Sequence, residues 1–164
     1  MYNIGDMVFY GGHGVCEIEE ITEMTISNQT KKYYRLKSNV QPKLQLFHPV
    51  ETNHPKISKM ITEEQSTKIL AVFEHAPSEW IQRSIERAKE HKKILDSKDH
   101  LAIAQMINTI LRKQAELEEE GKKLYAQDQE IIRSVMEILC DEISISLNIS
   151  KQEVFDRIDE HLNK

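Results

Sequence analysis

The only tryptophan of the chain, Trp80, lies in a segment whose residue types could contact nucleic acid. Residues 76–95 predict a helix, and at about 100° per residue its side chains divide into two faces. The mostly apolar face carries Ile81, Ile85, Ala88, Lys92 and Leu95. The other face carries Trp80, Arg83, Ser84, Arg87 and His91. Trp80 would therefore stand on a basic edge of the helix, away from the middle of its apolar stripe.

A large apolar ring flanked by arginines is suited to one kind of contact with DNA. The ring can push between base steps as a wedge, while Arg83 and Arg87 hold the flanking phosphates. The alternative is that Trp80, in the first turn of the helix, packs on the part of the chain that precedes it. Spacing alone leaves both interpretations open.

Net charge argues against tight binding of DNA by the protein alone. The formal net charge is −5, with 7 Lys and Arg against 6 Asp and Glu in residues 1–61 and 15 against 21 in residues 62–164. Residues 83–98 form a local basic stretch, with 6 Lys and Arg against 3 Asp and Glu. Because the acidic background repels phosphate at a distance, this stretch contacts DNA only if another molecule delivers it there. A protein partner is implied.

The sequence lacks the patterns typical of an enzyme, a metal site or a membrane protein. Its 164 residues are 39% hydrophobic and 30% charged, which fits one medium or two small globular domains. Cys16 and Cys140 lack CxxC spacing, and the 7 histidines form no HExxH or HxH pattern. Gly11-Gly12-His13-Gly14 lacks the ending of a phosphate loop, so we expect a turn that needs positive φ. We therefore expect no catalytic residue, metal or cofactor, and a cytosolic protein with buried, reduced cysteines.

Residues 1–61 predict a small, strongly bent β-sheet or barrel of four or five short strands. Alternation and β-branched or aromatic residues place four of the strands near residues 4–10, 14–26, 31–37 and 43–48. A polar hairpin turn follows at 27–30, and the break in period at Glu20-Ile21 indicates a β-bulge. In the strand at 43–48, Leu44 and Leu46 would share one face, with Phe47 on the other. Phe47 is then either an exposed anchor or a core residue beneath the helices.

From residue 62 onward the hydrophobic period becomes helical and predicts a compact all-α domain of about five helices over residues 62–164. Thr62 and Gln65 form a capping box at the start of the first helix, and Ser150 caps the last. Pro77-Ser78 would end the first helix and cap the second. We expect the Asp and Glu residues to lie on solvated faces.

Several segments, taken together, resemble one family of bacterial transcription regulators. They are IGDMVFYGGHGVCEIEEI at 4–21, YYRLK at 33–37, FHPVE at 47–51, PSEWIQR at 77–83 and LAIAQMINTILRKQ at 101–114. In this order and spacing, over nearly the whole chain, they resemble the CarD/CdnL family of RNA polymerase-binding regulators. The family shares its N-terminal domain with transcription-repair coupling factor, a motor whose Walker motif this chain lacks.

The resemblance implies an α+β protein with two domains. Residues 1–61 would form a Tudor-like domain that docks on the polymerase β subunit. Residues 62–164 would form a helical domain that reaches promoter DNA at the upstream edge of the melted bubble.

The resemblance also assigns DNA contacts to single residues. Trp80 falls on the family's conspicuous tryptophan, which enters the minor groove against the splayed bases, and Arg83 falls beside it as a phosphate or groove contact. Where many members have a Gly-Glu-Lys/Arg element with a basic residue facing DNA, this chain has the acidic Asp128-Gln129-Glu130. The expected DNA contacts are Trp80, Arg83, Arg87, Lys122 and Lys123.

The expected polymerase contacts are Lys43, Gln45, Phe47 and Pro49. They lie on or beside a strand that would add to a strand of the β subunit through main-chain hydrogen bonds. Phe47 stands where well-known members place an arginine that faces the polymerase. The contact in this chain would therefore be more apolar.

These expectations describe a non-enzymatic regulator that stabilises the open promoter complex by placing Trp80 in the minor groove. The alternative is an adaptor on RNA polymerase whose helical domain binds another protein, with Trp80 as the centre of that interface. The expected partners are the polymerase β subunit and, when tethered, promoter DNA, with no membrane and no small-molecule substrate. The expected location is the cytoplasm, with nucleoid association through the polymerase.

Overall fold

Antiparallel strands form the N-terminal third of the chain and helices the remainder, which confirms the α+β prediction. The computed structural model describes residues 1–51 and 56–164. The strands of the described residues are β1 (Met7–Tyr10), β2 (Gly14–Ile26), β3 (Gln29–Ser38), β4 (Gln45–Pro49) and β5 (Ile57–Lys59). The helices are α1 (Glu63–Ala71), a 3₁₀ turn (Val72–Glu74), α2 (Ser84–Ser97), α3 (His100–Glu119), α4 (Ala126–Leu147) and α5 (Lys151–Leu162).

The strands form one antiparallel sheet in the order β4-β3-β2-β1-β5, so β4 lies at an edge. The long strand β2 has a bulge between Ile18 and Glu20, which confirms the predicted break in its period. Its hairpin with β3 turns through Ser27 and Asn28, which both have positive φ, as a two-residue hairpin turn requires.

The glycine-rich segment between β1 and β2 is a turn with positive φ, as predicted. Gly12 has a φ of 82° and Gly14 a φ of 73°, a region that residues with a side chain rarely adopt. Gly14 also lies against α4, because a Cβ at this position would be 3.3 Å from Cγ2 of Ile138. The turn therefore allows the sheet to approach the helices closely.

The sheet and the helices each enclose a hydrophobic core. Val8, Ile18 and Leu36 are buried in the sheet, whereas Phe73 and Ile61 belong to the helical core. Ile61 thus packs with the helices although it lies in the predicted first domain. The division into 1–61 and 62–164 stays a prediction about independent folding.

Three carboxylates lie in the interior, so the expectation of solvated faces is wrong for them. Asp128, Asp141 and Glu142 are buried. Asp141 accepts a hydrogen bond of 2.8 Å from Asn39 in the loop after β3. Glu142 forms one of 2.8 Å with His100 at the start of α3. Buried carboxylates require such partners, and these two pairs tie α4 to the sheet and to α3.

Cys16 and Cys140 are buried free thiols, as expected. Burial raises the pKa of Cys16 to about 11 and that of Cys140 to about 12. Both thiols therefore stay protonated near neutral pH and behave as small hydrophobic side chains.

The predicted start of the second helix is wrong. The capping box of Thr62 and Gln65 opens α1 as expected, but Pro77-Ser78 neither ends that helix nor caps the next. The 3₁₀ turn already ends at Glu74, and α2 begins only at Ser84. Residues 75–83 form a connecting segment with no helix, so Trp80 is not a helical residue.

The predicted faces of the second helix are also wrong. Ile85, expected in the apolar stripe, is 72% exposed, whereas Arg87 and His91, expected on the outer edge, are buried. The reason lies outside the helix, because Arg87 and His91 both lie against the buried carboxylate of Asp128 in α4. A periodicity argument counts arginine and histidine as surface residues and cannot see this partner.

Candidate nucleic-acid interface

Side chains of α3 hold the connecting segment 75–83 by hydrogen bonds to its backbone. Asn108, which is buried, donates to the carbonyl oxygen of His75 at 3.0 Å. The hydroxyl oxygen of Thr109 accepts from the backbone N–H of Ser78 at 2.9 Å. Because these side chains satisfy the backbone, the segment is held in place without forming a helix.

The guanidinium group of Arg87 holds the other end of the segment. Its Nη1 donates to the carbonyl oxygens of Ile81 at 2.8 Å and Gln82 at 3.3 Å. Its Nε and Nη2 donate to the carboxylate of Asp128 at 3.1 Å and 2.7 Å. Arg87 is 3% exposed and Asp128 is 0% exposed, so this is a buried, bidentate ion pair.

The indole ring of Trp80 lies over this guanidinium group. Cζ of Arg87 is 4.5 Å from the centroid of the Trp80 ring and 5.5 Å from that of Tyr125. Nζ of Lys113, in α3, is 5.9 Å from the Trp80 centroid. Cations at these distances from aromatic faces are attracted by the ring electrons. We call the group formed by Trp80, Arg87, Asp128 and Tyr125 the tryptophan cluster.

Trp80 is half-buried, and it packs against the helical core while part of its surface remains accessible. Tyr125, the N-cap residue of α4, is 62% exposed. The packing interpretation and the surface interpretation of Trp80 therefore each describe part of its environment. An aromatic side chain in this position combines a fixed orientation with an accessible edge.

A surface cleft of about 610 Å³ opens beside Trp80. The connecting segment, α3 and the end of α5 line it, and its walls include the carboxylates of Glu116, Glu119 and Asp159. Arg112 and Lys113 lie in the same wall. The cleft is thus more acidic than a surface built only for phosphate.

Arg87 does not have the surface position expected of a DNA contact. Each of its three guanidinium nitrogens donates to Asp128 or to a backbone carbonyl. Its burial leaves almost no surface for a phosphate to reach. The expectation rested on a helix face that the structure turns inward, where the guanidinium group lies against the Trp80 ring.

The other expected DNA contacts are exposed cations. Arg83 lies just before α2, and its Nη1 is 3.3 Å from Oε1 of Glu86. Lys122 and Lys123 lie in the loop between α3 and α4, with Nζ of Lys122 3.1 Å from Oε2 of Glu120. Surface ion pairs of this kind contribute little energy, so they do little to hold these cations in place.

The acidic element at 128–130 presents less negative charge than its sequence suggests. Asp128 points into the tryptophan cluster, where Arg87 neutralises it. Glu130 is exposed but forms an ion pair of 2.7 Å with Arg133. This element therefore repels DNA less than it would if its carboxylates were unpaired and exposed to solvent.

His91 adds a neutral group behind the ion pair. Its Nδ1 is 3.8 Å from Oδ1 of Asp128. Burial lowers the pKa of His91, although Asp128 acts in the opposite direction. The imidazole is therefore uncharged near neutral pH, and the Arg87 guanidinium is the cation that neutralises Asp128 in the cluster.

The expected polymerase contacts lie along the edge strand β4. Gln45 and Phe47 lie within the strand and are exposed, Phe47 to 41%. Pro49 is the last residue of the strand, whereas Lys43 belongs to the turn before it. Leu46 packs against the core of the sheet, which confirms that Leu46 and Phe47 face opposite sides. Of the two interpretations of Phe47, the exposed anchor fits this geometry and the core residue beneath the helices does not.

Sequence analysis missed the residues that support Trp80. They are the α3 side chains that hold the connecting segment, together with Asp128 and Tyr125. The α3 residues do show a signal, because polar side chains recur at helical spacing in the otherwise apolar stretch 101–112, at Gln105, Asn108, Thr109 and Arg112. For Asp128, whose hydrogen bond to Arg87 spans 41 residues, the sequence holds no comparable signal.

Within residues 1–51 and 56–164, no group of three or more His, Cys, Asp or Glu is arranged to hold a metal ion. In the same part of the chain, no helix has both the length and the apolar character needed to cross a membrane.

Comparisons with known proteins identify both halves of the chain. The family model described as the CarD-like/TRCF RID domain matches residues 2–61, and the CarD C-terminal domain matches residues 68–159. No curated protein matches the chain at a significant level. The RID domain is Tudor-like and interacts with RNA polymerase, and CarD-family domains are regulatory, non-catalytic protein-interaction domains. The chain therefore belongs to the CarD family of RNA polymerase-interacting transcription regulators.

Proposed function

We propose that this regulator docks on the polymerase β subunit through strand β4 and uses Trp80 to stabilise the open promoter complex. The observation that carries the proposal is the tryptophan cluster, which holds a partly exposed indole ring over a fixed cation outside any helix. A ring held in this way can fill the gap between partly unstacked bases without first being ordered.

The proposed docking surface follows from the position of β4 at the edge of the sheet. Edge strands can pair with a strand of another protein through main-chain hydrogen bonds. Gln45, Phe47 and Pro49 belong to the strand and Lys43 lies in the turn before it, which gives a contact centred on the apolar side chain of Phe47. The β subunit is the proposed owner of the partner strand.

Docking on the polymerase would compensate for the weak attraction between DNA and a protein of acidic net charge. A protein with a charge of −5 has little attraction for DNA from a distance. Tethering to the polymerase raises the local concentration of the helical domain at the promoter, so a few weak contacts suffice. Arg83, Lys122 and Lys123 are the proposed phosphate contacts, and Trp80 is the proposed wedge at the upstream edge of the bubble. The same proposal places the protein in the cytoplasm, on the nucleoid with the polymerase.

The free energy that Trp80 would contribute by stacking on a base is small, but it is sufficient to shift the equilibrium between open and closed complexes. Stacking of a base on an aromatic side chain contributes about 1–3 kcal/mol. A stabilisation of 1–2 kcal/mol shifts the equilibrium between open and closed complexes roughly five- to thirty-fold. That range regulates promoters whose open complexes collapse quickly.

The test is the lifetime of the open complex after addition of a competitor that traps free polymerase. The wild-type protein is expected to lengthen the lifetime, and Trp80→Ala is expected to bind polymerase but lose this effect. Ile26→Ala, which truncates an exposed apolar side chain at the tip of the β2–β3 hairpin, is the matched control and is expected to act as wild type. A Trp80→Ala protein that lengthens the lifetime as wild type does would contradict the proposal.

A second candidate function rests on the cleft beside Trp80. Its three carboxylates, Glu116, Glu119 and Asp159, favour a basic segment of a protein over a phosphate. In this adaptor function Trp80 would be the centre of a protein interface. The two functions differ in one observable, because an adaptor would not alter the open-complex lifetime when only polymerase and promoter are present.

A further inference from the structure

Arg87 makes more contacts with the Trp80 region than an ion pair alone requires. Its Nη1 binds the two carbonyl oxygens of residues 81 and 82, which follow Trp80 directly in the chain. Its Cζ lies over the indole ring, 4.5 Å from the ring centroid. One side chain therefore contacts both the backbone next to Trp80 and the face of its ring.

Asp128 fixes Arg87 in turn. Both carboxylate oxygens accept from the guanidinium group, Oδ1 from Nε at 3.1 Å and Oδ2 from Nη2 at 2.7 Å. This bidentate pairing fixes the orientation of the guanidinium group, and with it the position of the cation over the indole ring. Asp128 lies in the first turn of α4, so the long helix serves as the anchor of the whole arrangement.

A role in stability alone does not explain this arrangement. Desolvation makes a buried ion pair a poor source of stability, and an apolar pair of similar volume often stabilises a fold as well. An apolar pair, however, could not bind two backbone carbonyls and one ring face at the same time. The geometry points to a function of the pair in orienting the ring.

We propose that Arg87, held by Asp128, is the positioning residue that orients Trp80 for its contact with DNA. The inference rests on the proposed function of Trp80 and adds the device that presents the ring. Lysine cannot replace Arg87, because its single ammonium group has no planar fork to bind a carboxylate and two carbonyls at once. A positive charge at position 87 is therefore not enough to orient Trp80.

The single tryptophan makes the proposal testable in the free protein. Arg87→Lys is expected to leave the helical circular dichroism unchanged at a temperature where the protein is folded. In the same state, the Trp80 emission is expected to shift to the red and acrylamide quenching to rise roughly twofold, since the ring gains access to other rotamers. Asp128→Asn, which keeps the shape and removes the charge, is expected to give the same change in a weaker form.

The matched control is Arg133→Lys. Arg133 forms a bidentate ion pair with Glu130 in the same helix, but on the surface and without a ring contact. This variant is expected to leave emission and quenching as in the wild type. A folded Arg87→Lys protein with wild-type emission and quenching would overturn the proposal and leave Arg87 as a structural residue.

A second measurement uses the wild-type protein, so it does not require any variant to fold. Time-resolved anisotropy of wild-type Trp80 is expected to decay only with the tumbling of the molecule, because the cluster holds the ring. A large, fast component of local motion would overturn the proposal.

The open-complex assay separates this inference from the proposed function. If both hold, folded Arg87→Lys binds polymerase and shortens the open-complex lifetime about five-fold relative to the wild-type protein. If Trp80→Ala has no effect on the lifetime while the fluorescence results are as expected, the proposed function fails and the positioning of the ring stands. If Trp80→Ala shortens the lifetime but Arg87→Lys changes neither emission nor lifetime, the function stands and the positioning role fails.

Discussion

At the scale of single residues, Trp80 shows how a side chain can be both packed and available. Its ring lies against the guanidinium group of Arg87 and the helical core, yet part of its surface remains accessible. Removing the ring therefore costs some packing without opening a cavity in the middle of the core. The loss in free energy of unfolding on truncating Trp80 should therefore lie between the loss for a core residue and the loss for a surface residue.

We expect Trp80→Ala to lower the free energy of unfolding by about 1–2 kcal/mol, against about 3–5 kcal/mol for a fully buried tryptophan. The protein stays folded, so a loss of function in this variant reports on the ring itself. Urea denaturation followed by circular dichroism measures the difference. A loss of 3 kcal/mol or more would show that Trp80 is a core residue and would weaken the DNA interpretation.

At the scale of elements, the start of α3 and the middle of α4 meet at His100 and Glu142. Glu142 also accepts a hydrogen bond of 3.2 Å from the backbone N–H of Ile61, and the ring of Phe9 in β1 packs edge-on against His100. The hydrogen bond to Glu142 raises the pKa of His100, and the Glu142 and Asp99 charges act in the same direction against burial. This junction connects the sheet to the helices through a histidine whose pKa lies above its ordinary value.

The raised pKa gives a pH dependence of defined sign. A histidine whose pKa is higher in the folded state stabilises the fold fully below its unfolded value of 6.5, and this stabilisation is lost as the pH rises through the folded value. We expect His100→Gln to lower the free energy of unfolding by about 1 kcal/mol more at pH 5.5 than at pH 8.5. His91 is present in both proteins, so its opposite, burial-driven effect cancels in the difference. An equal cost at both pH values would contradict a charged His100–Glu142 pair.

The elements also show what the sequence could and could not predict. The bounds of β2, the capping box at Thr62 and the positive-φ turn at Gly12 were predictable, because local sequence determines each of them. The start and face of α2 were not, since Asn108, Thr109 and Asp128 bond to this region from other helices. For the site, residue types and spacing singled out Trp80 and Arg83 and the resemblance favoured a DNA contact for them, whereas the contact of Arg87 with Asp128 in α4 is visible only in the structure.

At the scale of the whole molecule, the chain consists of an antiparallel sheet and a helical body that carries Trp80. β4 lies at the edge of the sheet, and the two parts meet through α4, where Gly14 approaches Ile138 and Asn39 binds Asp141. This architecture suits a protein that holds a polymerase at one end and presents a side chain to the promoter at the other. The two tasks should then be separable.

We expect residues 1–61, expressed alone, to fold and to capture the isolated polymerase β subunit. The hydrophobic core of the sheet is complete without the helices, although Ile61 loses its packing partners. Circular dichroism tests the folding, and co-purification tests the capture. Phe47→Glu in the same fragment is expected to keep the fold and lose capture, because it places a charge in an apolar contact. A folded fragment that does not capture the β subunit would show that docking uses another surface.

The most direct test of the central claim is the location of residue 80 in the complex of protein, polymerase and promoter. Trp80→p-benzoylphenylalanine places a photo-crosslinker of similar size at the tip of the proposed wedge. Irradiation of the open complex is expected to yield crosslinks to promoter DNA at the upstream edge of the melted bubble, and few in the closed complex. Crosslinks that fall only on polymerase or on another protein would contradict the claim that Trp80 holds the promoter open.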